Sequence, residues 1–206
     1  MTCPEAAPAR STAKGAAAWE QGWYAYARRS ESPNFGPRPP QTCVDLVVLH
    51  SISLPPGQYG GPQVQQLFTN QLDWNAHPYF KQIEGLQVSS HFFVQRGGEL
   101  WQFVSCEQRA WHAGRSQHAG RDNCNDFSIG IELEGLEGDL FEPAQYETLS
   151  ALLSALAQVY PLRHVVGHEH IAPGRKHDPG AGMDWALVQR CSALDAQAFS
   201  GVTKKI

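Results

Sequence analysis

The chain has 206 residues and a hydrophobic fraction of 42%, which fits one domain large enough to bury a core. Its formal net charge is -4 and it contains no basic runs, so it lacks the concentrated basic face that nucleic-acid binding needs. No segment reaches the ~18 apolar residues of a membrane span, so neither nucleic acid nor a membrane is an expected partner.

The cysteines and the N-terminal residues allow predictions of the cellular compartment and of the domain boundaries. The cysteine count is odd and no pair has CxxC spacing, which argues against a disulfide framework and a thiolate zinc site and predicts a cytoplasmic protein. Residues 1–18 are rich in Ala and Pro and lack the apolar stretch of an export signal. We expect them to form a flexible extension, and residues 19–206 to form a single domain that is a monomer.

The first half of the chain predicts strands separated by loops and a short helix. Residues 44–50, VDLVVLH, form the continuous apolar run that is typical of a strand buried on both faces. A helix is predicted over residues 62–70, beginning at a proline. Residues 88–95 predict a second strand, which turns at Gly97-Gly98 into the returning strand of a hairpin.

The second half predicts strands that alternate with helices. Residues 127–135 indicate a third major strand, and residues 164–168 a short one. A helix is predicted between Glu142 and Pro161, and another over residues 183–195. The apolar face of the first of these helices consists of Tyr146, Leu149, Leu152, Leu153, Leu156 and Val159. The whole pattern predicts a mixed α+β (α/β) fold, with a single mixed β-sheet covered by helices.

One stretch, VVGHEHIAPGRKHDPG, concentrates side chains that can bind a metal ion or polarise a substrate. A hydrolytic zinc site needs three protein ligands and one open position. His50 and His168 each stand at the end of a predicted strand, and Asp178 comes ten residues after His168. Each also has a simpler interpretation, because a histidine at a strand end can be solvated and Asp-Pro-Gly favours a turn.

Two further segments carry polar groups that could serve a site. In SIGIELEG, Glu132 shares a strand face with Gly130 and Glu134, and it could accept a proton from an attacking water or be solvated. The loop AWHAGRSQHAGRDNCND holds Trp111, His112 and Arg121. Such groups suit the wall of a site for a sugar or an acidic peptide, and they suit an ordinary polar loop equally well.

Taken together, these segments resemble the AmpD-type N-acetylmuramoyl-L-alanine amidases, zinc enzymes of bacterial cell-wall recycling that are related to the peptidoglycan-recognition proteins. The resemblance extends from about residue 21 to residue 185. The phrases that carry it are GWYAYARRSESPNFGPRP, VVLHSISLPPGQYGGP, LFTN, HPYF, VSSHFFVQRGGELWQFV, RAWHAGRSQHAGRDNCNDFSIGIELEG and GHEHIAPGRKHDPG. Their common order is more specific than any one of them, and it implies an amidase/peptidoglycan-recognition-like fold.

The resemblance implies a role for several positions. His50, His168 and Asp178 would bind Zn²⁺, Glu132 would be the general base, and Lys176 would stabilise the oxyanion. Candidates for substrate contact are Trp111, His112, Arg121, Asn34 and His91. Gln87 and Asn123 depart from the pattern of relatives that carry arginine there, which leaves the exact peptide or sugar preference open.

The implied reaction is hydrolysis of the amide between the lactyl group of (1,6-anhydro-)N-acetylmuramic acid and the L-alanine of the stem peptide, in murein recycling. The partner would be a small muropeptide. Three alternatives remain open at this point. One is a peptidoglycan- or muropeptide-binding module without catalysis, and another is an amidase that acts on polymeric peptidoglycan. The third is a different zinc hydrolase, such as a peptidase or a deacetylase.

Overall fold

The computed structural model describes residues 18–202. Residues 1–17 of the predicted extension and the last four residues therefore lie outside the described part, and the predicted domain boundaries stay a prediction. Ala18 belongs to the described part, where its carbonyl oxygen accepts a hydrogen bond of 2.8 Å from the N–H of Ala25. Within residues 18–202, no helix is long and apolar enough to cross a membrane.

The described residues form short strands and helices in the predicted alternation. The strands are β1 (Trp19–Glu20), β2 (Trp23–Tyr24), β3 (Arg28–Arg29), β4 (Phe35–Pro37), β5 (Leu46–Ile52), β6 (Phe92–Val94), β7 (Leu100–Gln102), β8 (Gln108–Ala110), β9 (Gln117–His118), β10 (Arg121–Asp122), β11 (Ser128–Glu134) and β12 (His164–Gly167). The helices are α1 (Gln63–Phe68), α2 (Pro78–Gln82), α3 (Pro143–Leu156), α4 (His168–Ile171) and α5 (Trp185–Cys191), with 3₁₀ turns at Cys124–Asp126 and Ala196–Phe199.

The main sheet has six strands in the order β12-β5-β11-β6-β7-β3. The pairs β12–β5, β5–β11 and β11–β6 are parallel, whereas β6 and β7 form the predicted antiparallel hairpin. Gly98 in the turn between them has a φ of 86°, which a glycine adopts without steric cost. The predicted mixed fold with a central mixed sheet and helices is thus confirmed, but the sheet is not single, because residues 18–202 also form three two-stranded sheets, β1–β2, β4–β8 and β9–β10.

The central strands are buried on both faces, which explains their continuous apolar sequence. On β5, Val47 and Leu49 pack into the cluster formed with α3. Leu46 and Val48 pack on the opposite face with the loop that precedes β11 and with α4. Since side chains alternate along a strand, His50 lies on the same face as Leu46 and Val48.

Helix α3 is the predicted long helix, but it is shorter than predicted. The N–H of Glu142 donates to the side-chain oxygen of Gln145 at 3.0 Å, which fixes the beginning of the helix. The helix ends at Leu156 and the chain continues in turns towards Pro161. The prediction that Val159 belongs to the apolar face is wrong, because this residue follows the helix and is 40% exposed.

The structure contains two short helices that the sequence pattern does not predict and one strand that is shorter than predicted. Helix α2 begins where His77 Nδ1 accepts a hydrogen bond from the N–H of Tyr79. Helix α4 lies within the stretch VVGHEHIAPGRKHDPG, for which the sequence pattern predicts no helix. Strand β6 begins only at Phe92, because the N–H of Ser89 donates to the carbonyl of Trp111 rather than to a sheet partner.

Truncation of a core leucine of α3 should destabilise the fold strongly. Leu149 is fully buried between the sheet and its own helix. We expect Leu149→Ala to lower the free energy of unfolding by about 2–5 kcal/mol, because a cavity is left behind. Denaturant unfolding would measure this loss. Leu140→Ala is a matched control, since Leu140 is 77% exposed and its truncation should change stability by less than about 0.5 kcal/mol.

Candidate metal and catalytic site

The candidate site lies at the carboxyl ends of three adjacent parallel strands, β12, β5 and β11. His50 on β5 and Glu132 on β11 are direct neighbours in the register of this parallel pair, so their side chains share one face. His168 comes immediately after the end of β12, which pairs with the other side of β5. Ligands commonly bind at this edge of a parallel sheet, where strand ends aim side chains into one crevice.

The loop after α4 brings Asp178 back to the strand ends. The N–H of Glu169 donates to the carbonyl of Asp178 at 2.9 Å, which closes the loop on the beginning of α4. The carbonyl of Ala172 accepts a hydrogen bond from the N–H of Lys176 at 3.1 Å, so the segment between them is a tight turn. Residues that are distant along the loop thereby face the same crevice.

Three potential ligand atoms converge in this crevice. His50 Nδ1 lies 3.0 Å from His168 Nδ1, and each nitrogen lies 3.1 Å from Asp178 Oδ2. Bonds of about 2.0–2.1 Å to a tetrahedral ion would place ligand atoms about 3.3 Å apart, which is close to this triangle. His50 is 1% exposed and His168 is 3% exposed. Within the described range, this trio is the one cluster of histidine, cysteine and acidic side chains with such spacing.

The arrangement of lone pairs in this trio is better suited to a crevice that holds a cation than to an empty one. His168 Nε2 lies 3.1 Å from the carbonyl oxygen of Ala113, which can only accept, so Nε2 carries a proton, and in the neutral form of the ring Nδ1 carries a lone pair. That lone pair faces the carboxylate of Asp178, and two acceptors at this distance repel each other without a positive charge between them. Burial, and then the proximity of His168, lower the pKa of His50 to about 4, which favours the neutral ring that a metal ion binds.

Glu132 is a buried carboxylate next to the convergent ligands. It is 8% exposed, and its Oε1 lies 4.0 Å from His50 Nδ1. Burial raises its pKa well above the ordinary value, the charge of Asp178 adds to the rise, and Lys176 opposes it. Its Oε2 is buried without a hydrogen-bond partner among residues 18–202. The interpretation of this strand face as solvated is therefore wrong, and Glu134 is buried as well, accepting hydrogen bonds from the N–H groups of Gly60 and Arg96.

A cavity of about 370 Å³ opens above the convergent side chains. His50, His168 and Asp178 form part of its wall, together with Glu132 and Lys176. A ligand in this cavity would thus meet a metal-binding trio, a buried carboxylate and an ammonium group. Its volume lies within the range of roughly 300–1,000 Å³ that is usual for small-molecule sites.

The candidates for substrate contact divide into two groups. Trp111 and His112 line the cavity. Asn34, His91 and Arg121 are not part of its wall, so their contact with substrate stays a prediction. Asn34 is 2% exposed and its amide donates to Asn70 and to the carbonyl of Val88, each at 2.8 Å.

The other two of these side chains, those of His91 and Arg121, make structural contacts outside the cavity wall. His91 is fully buried, and its Nδ1 accepts a hydrogen bond of 3.0 Å from the N–H of Gly130. Burial, and then the charge of Arg38, lower the pKa of His91 to about 3. Arg121 donates to Asp45 Oδ1 at 2.9 Å and lies over the ring of Phe127. These contacts give each residue a structural function of its own.

The sequence patterns did not identify Ser128, which contacts His112, or a large part of the cavity wall, including polar residues such as Ser89 and Glu137. The Ser128 hydroxyl lies 3.1 Å from His112 Nε2, and it occupies the same face of β11 as Gly130 and Glu132. This two-residue alternation is the signal that could have identified it. The exposed leucines Leu86 and Leu136 also line the cavity, and no local pattern marks them.

Comparisons with known proteins identify relatives over most of the chain. A family model described as N-acetylmuramoyl-L-alanine amidase matches residues 39–181. The 1,6-anhydro-N-acetylmuramyl-L-alanine amidase AmpD of Escherichia coli K12 is 50% identical over 169 residues, covering 81% of this chain and 92% of the relative. AmpD of Haemophilus influenzae is 44% identical, with the same 81% and 92% coverage.

Solved structures give the same result for the fold. The crystal structure of a selenomethionine derivative of AmpD matches with a TM-score of 0.82 at 48% identity, covering 84% of this chain and 98% of that chain. E. coli AmiD was solved in complex with anhydro-N-acetylmuramic acid-L-Ala-D-gamma-Glu-L-Lys. It matches with a TM-score of 0.53 at 28% identity, and the match covers 82% of this chain and 64% of the AmiD chain. The family match includes all three strands and the loop that build the crevice, and the chain therefore belongs to the N-acetylmuramoyl-L-alanine amidase family.

Proposed function

We propose that the protein is a zinc-dependent amidase that hydrolyses the amide between the lactyl group of 1,6-anhydro-N-acetylmuramic acid and the L-alanine of the stem peptide. The observation that carries this proposal is the convergence of His50, His168 and Asp178 beside the buried carboxylate of Glu132. The names of the relatives at 44% and 50% identity support the substrate class.

The arrangement suggests a task for each catalytic side chain. Zinc bound by the trio would polarise the amide carbonyl and make a water more acidic. Glu132 takes a proton from the attacking water as its oxygen bonds to the carbonyl carbon, and then delivers that proton to the alanine nitrogen as the C–N bond breaks. The ammonium group of Lys176 stabilises the negative charge that develops on the carbonyl oxygen. The products are a lactyl carboxylic acid and a peptide with a free amine.

The proposed setting is murein recycling in the cytoplasm, with the protein acting as a monomer on a small muropeptide. The AmiD complex with an anhydromuropeptide supports a ligand of this size for the shared fold. The thiols of Cys106, Cys124 and Cys191 are free, as is usual for proteins of reducing compartments. Trp111 and His112 on the cavity wall are the proposed contacts for the ligand.

The proposal is tested by the release of intact tripeptide from anhydro-muramyl tripeptide, followed by mass spectrometry. Zinc-loaded protein should release the tripeptide, and chelator-treated protein should not until zinc is restored. Activity only on polymeric peptidoglycan would keep the amidase and overturn the recycling substrate. Tight zinc binding without release from either substrate would instead indicate a binding module.

Removal of the Lys176 ammonium should slow the chemical step. Its side chain lines the cavity and is the cation there that could face a developing oxyanion. We expect Lys176→Met to lower kcat by about 100- to 1,000-fold, as for the loss of other oxyanion-stabilising groups, while zinc content stays unchanged. Steady-state kinetics on the muropeptide would measure this. Lys81→Met is the matched control, because Lys81 lies on the surface in an ion pair with Glu84 and its loss should leave kcat unaltered.

A further inference from the structure

His112 lies in a buried row of hydrogen bonds that begins at His50 and ends on the backbone. His50 Nε2 is 2.9 Å from His112 Nδ1, and His112 Nε2 is 3.1 Å from the hydroxyl oxygen of Ser128. That hydroxyl lies 2.6 Å from the carbonyl oxygen of Cys124. His50 is 1% exposed, His112 is 9% exposed and Ser128 is fully buried, so water does not compete freely for these bonds.

The last member of the row determines the direction of every bond in it. The carbonyl oxygen of Cys124 can only accept, so Ser128 donates its single proton there and must accept from the Nε2–H of His112. A neutral His112 then has a lone pair on Nδ1 and accepts from the Nε2–H of His50. Nδ1 of His50 is left with its lone pair towards His168 and Asp178.

We propose that His112 and Ser128 are positioning residues that hold His50 in the tautomer with its proton on Nε2, and so keep Nδ1 available for the metal ion. The inference rests on the proposed zinc site. It gives the cavity-lining ring of His112 a second task beyond substrate contact. His168 needs no such relay, because its Nε2 donates directly to the carbonyl of Ala113.

The surrounding backbone is shaped to hold the His112 ring in this orientation. A Cβ atom at Gly130 would lie 2.5 Å from Cγ of His112, so only glycine on β11 leaves room for the ring. The N–H groups of His112 and Ala113 both donate to the side-chain oxygen of Asn125, at 3.2 and 2.8 Å. The ring of His91 packs edge-on against that of His112, with centroids 5.8 Å apart. The ring is thus fixed both by packing and through its backbone.

The first test reads the tautomer directly in zinc-loaded wild-type protein. Long-range ¹H–¹⁵N correlation spectra of histidine-labelled protein distinguish protonated from unprotonated ring nitrogens, and the His112 signals are assigned by their loss in His112→Asn. We expect His112 to carry its proton on Nε2 alone. A proton on Nδ1 of His112 would overturn the proposal, since His50 could not then donate to it.

The second test measures zinc affinity by competition with a chromophoric chelator. We expect His112→Phe, which removes the acceptor, to weaken zinc binding by about 10- to 100-fold, and Ser128→Ala by about 10-fold, as for other outer partners of metal-binding histidines. His112→Asn places an amide oxygen near the position of Nδ1 and should recover part of the affinity. Ser150→Ala is the control, because Ser150 is a buried serine of α3 whose hydroxyl has no partner within residues 18–202.

The outcomes separate this inference from the proposed function. Wild-type protein that binds no zinc would overturn both. If wild type binds zinc and Ser128→Ala binds it with the same affinity, the inference alone is overturned. It is also overturned if His112→Asn and His112→Phe bind zinc equally weakly. If His112→Phe does not fold, the affinity of Ser128→Ala and the tautomer of the wild type still decide between these outcomes.

Discussion

Replacement of Glu132 by glutamine should abolish most of the turnover and leave the metal ion in place. The amide has nearly the same shape as the carboxylate but cannot accept a proton from water. Loss of a general base typically costs about 100- to 10,000-fold in rate, and we expect a fall of this size in kcat for Glu132→Gln. Single-turnover hydrolysis of the muropeptide, with zinc measured by atomic absorption, would determine both quantities.

The same experiment distinguishes a base from a ligand. Oε1 of Glu132 lies 4.0 Å from His50 Nδ1, outside the triangle of closer contacts that joins the three proposed ligands. Zinc content should therefore stay at one ion per chain in Glu132→Gln. Loss of zinc from this variant would show that its proposed role is wrong. Glu99→Gln provides the control, since Glu99 forms a surface ion pair with Arg28 and should retain wild-type activity.

Replacement of Asp178 by asparagine should remove both metal binding and activity. Its Oδ2 lies 3.1 Å from each ligand nitrogen, and it supplies the negative charge of the trio. Loss of an outer hydrogen-bond partner alone costs about 10- to 100-fold in metal affinity, so loss of a charged ligand should weaken zinc binding by more than about 100-fold. Chelator competition would measure the affinity, and the muropeptide assay should show no release above background.

Folding has to be checked separately for this variant. Burial would raise the pKa of Asp178, but the proximity of His168 and His50 outweighs that effect and holds the pKa well below its ordinary value. Circular dichroism should show that Asp178→Asn keeps the native fold. Asp122→Asn is a suitable comparison, because Asp122 accepts a hydrogen bond from Gln117 in an exposed position. Asp178→Asn with wild-type zinc affinity would remove this residue from the proposed ligand set.

The strands and helices with a strong apolar pattern could be predicted from the amino-acid sequence. The family resemblance could be recognised from the order of the segments that carry it. The alternation in β11 placed Glu132 on one strand face, and the spacing in α3 identified the helix that covers the sheet. Both patterns are local, because side chains alternate between the two faces of a strand and return to the same face of a helix every 3.6 residues. The mixed fold follows from the order of these elements along the chain.

The contacts between polar groups, and the burial of these groups, become visible in the folded structure and could not be predicted from the sequence. His50 and His168 are 118 residues apart in the chain and lie 3.0 Å apart in the fold, so no local pattern could join them. The contact of 2.9 Å between His50 Nε2 and His112 Nδ1, on which the proposed tautomer rests, joins residues 62 positions apart. Both Glu132 and Glu134 are buried, and only their neighbours in space distinguish them: Glu132 lies beside the proposed ligand His50, whereas Glu134 accepts a hydrogen bond from the N–H of Gly60. Hydrogen-bond direction and desolvation are properties of neighbours in space, and they therefore appear only when distant strands and loops are brought together.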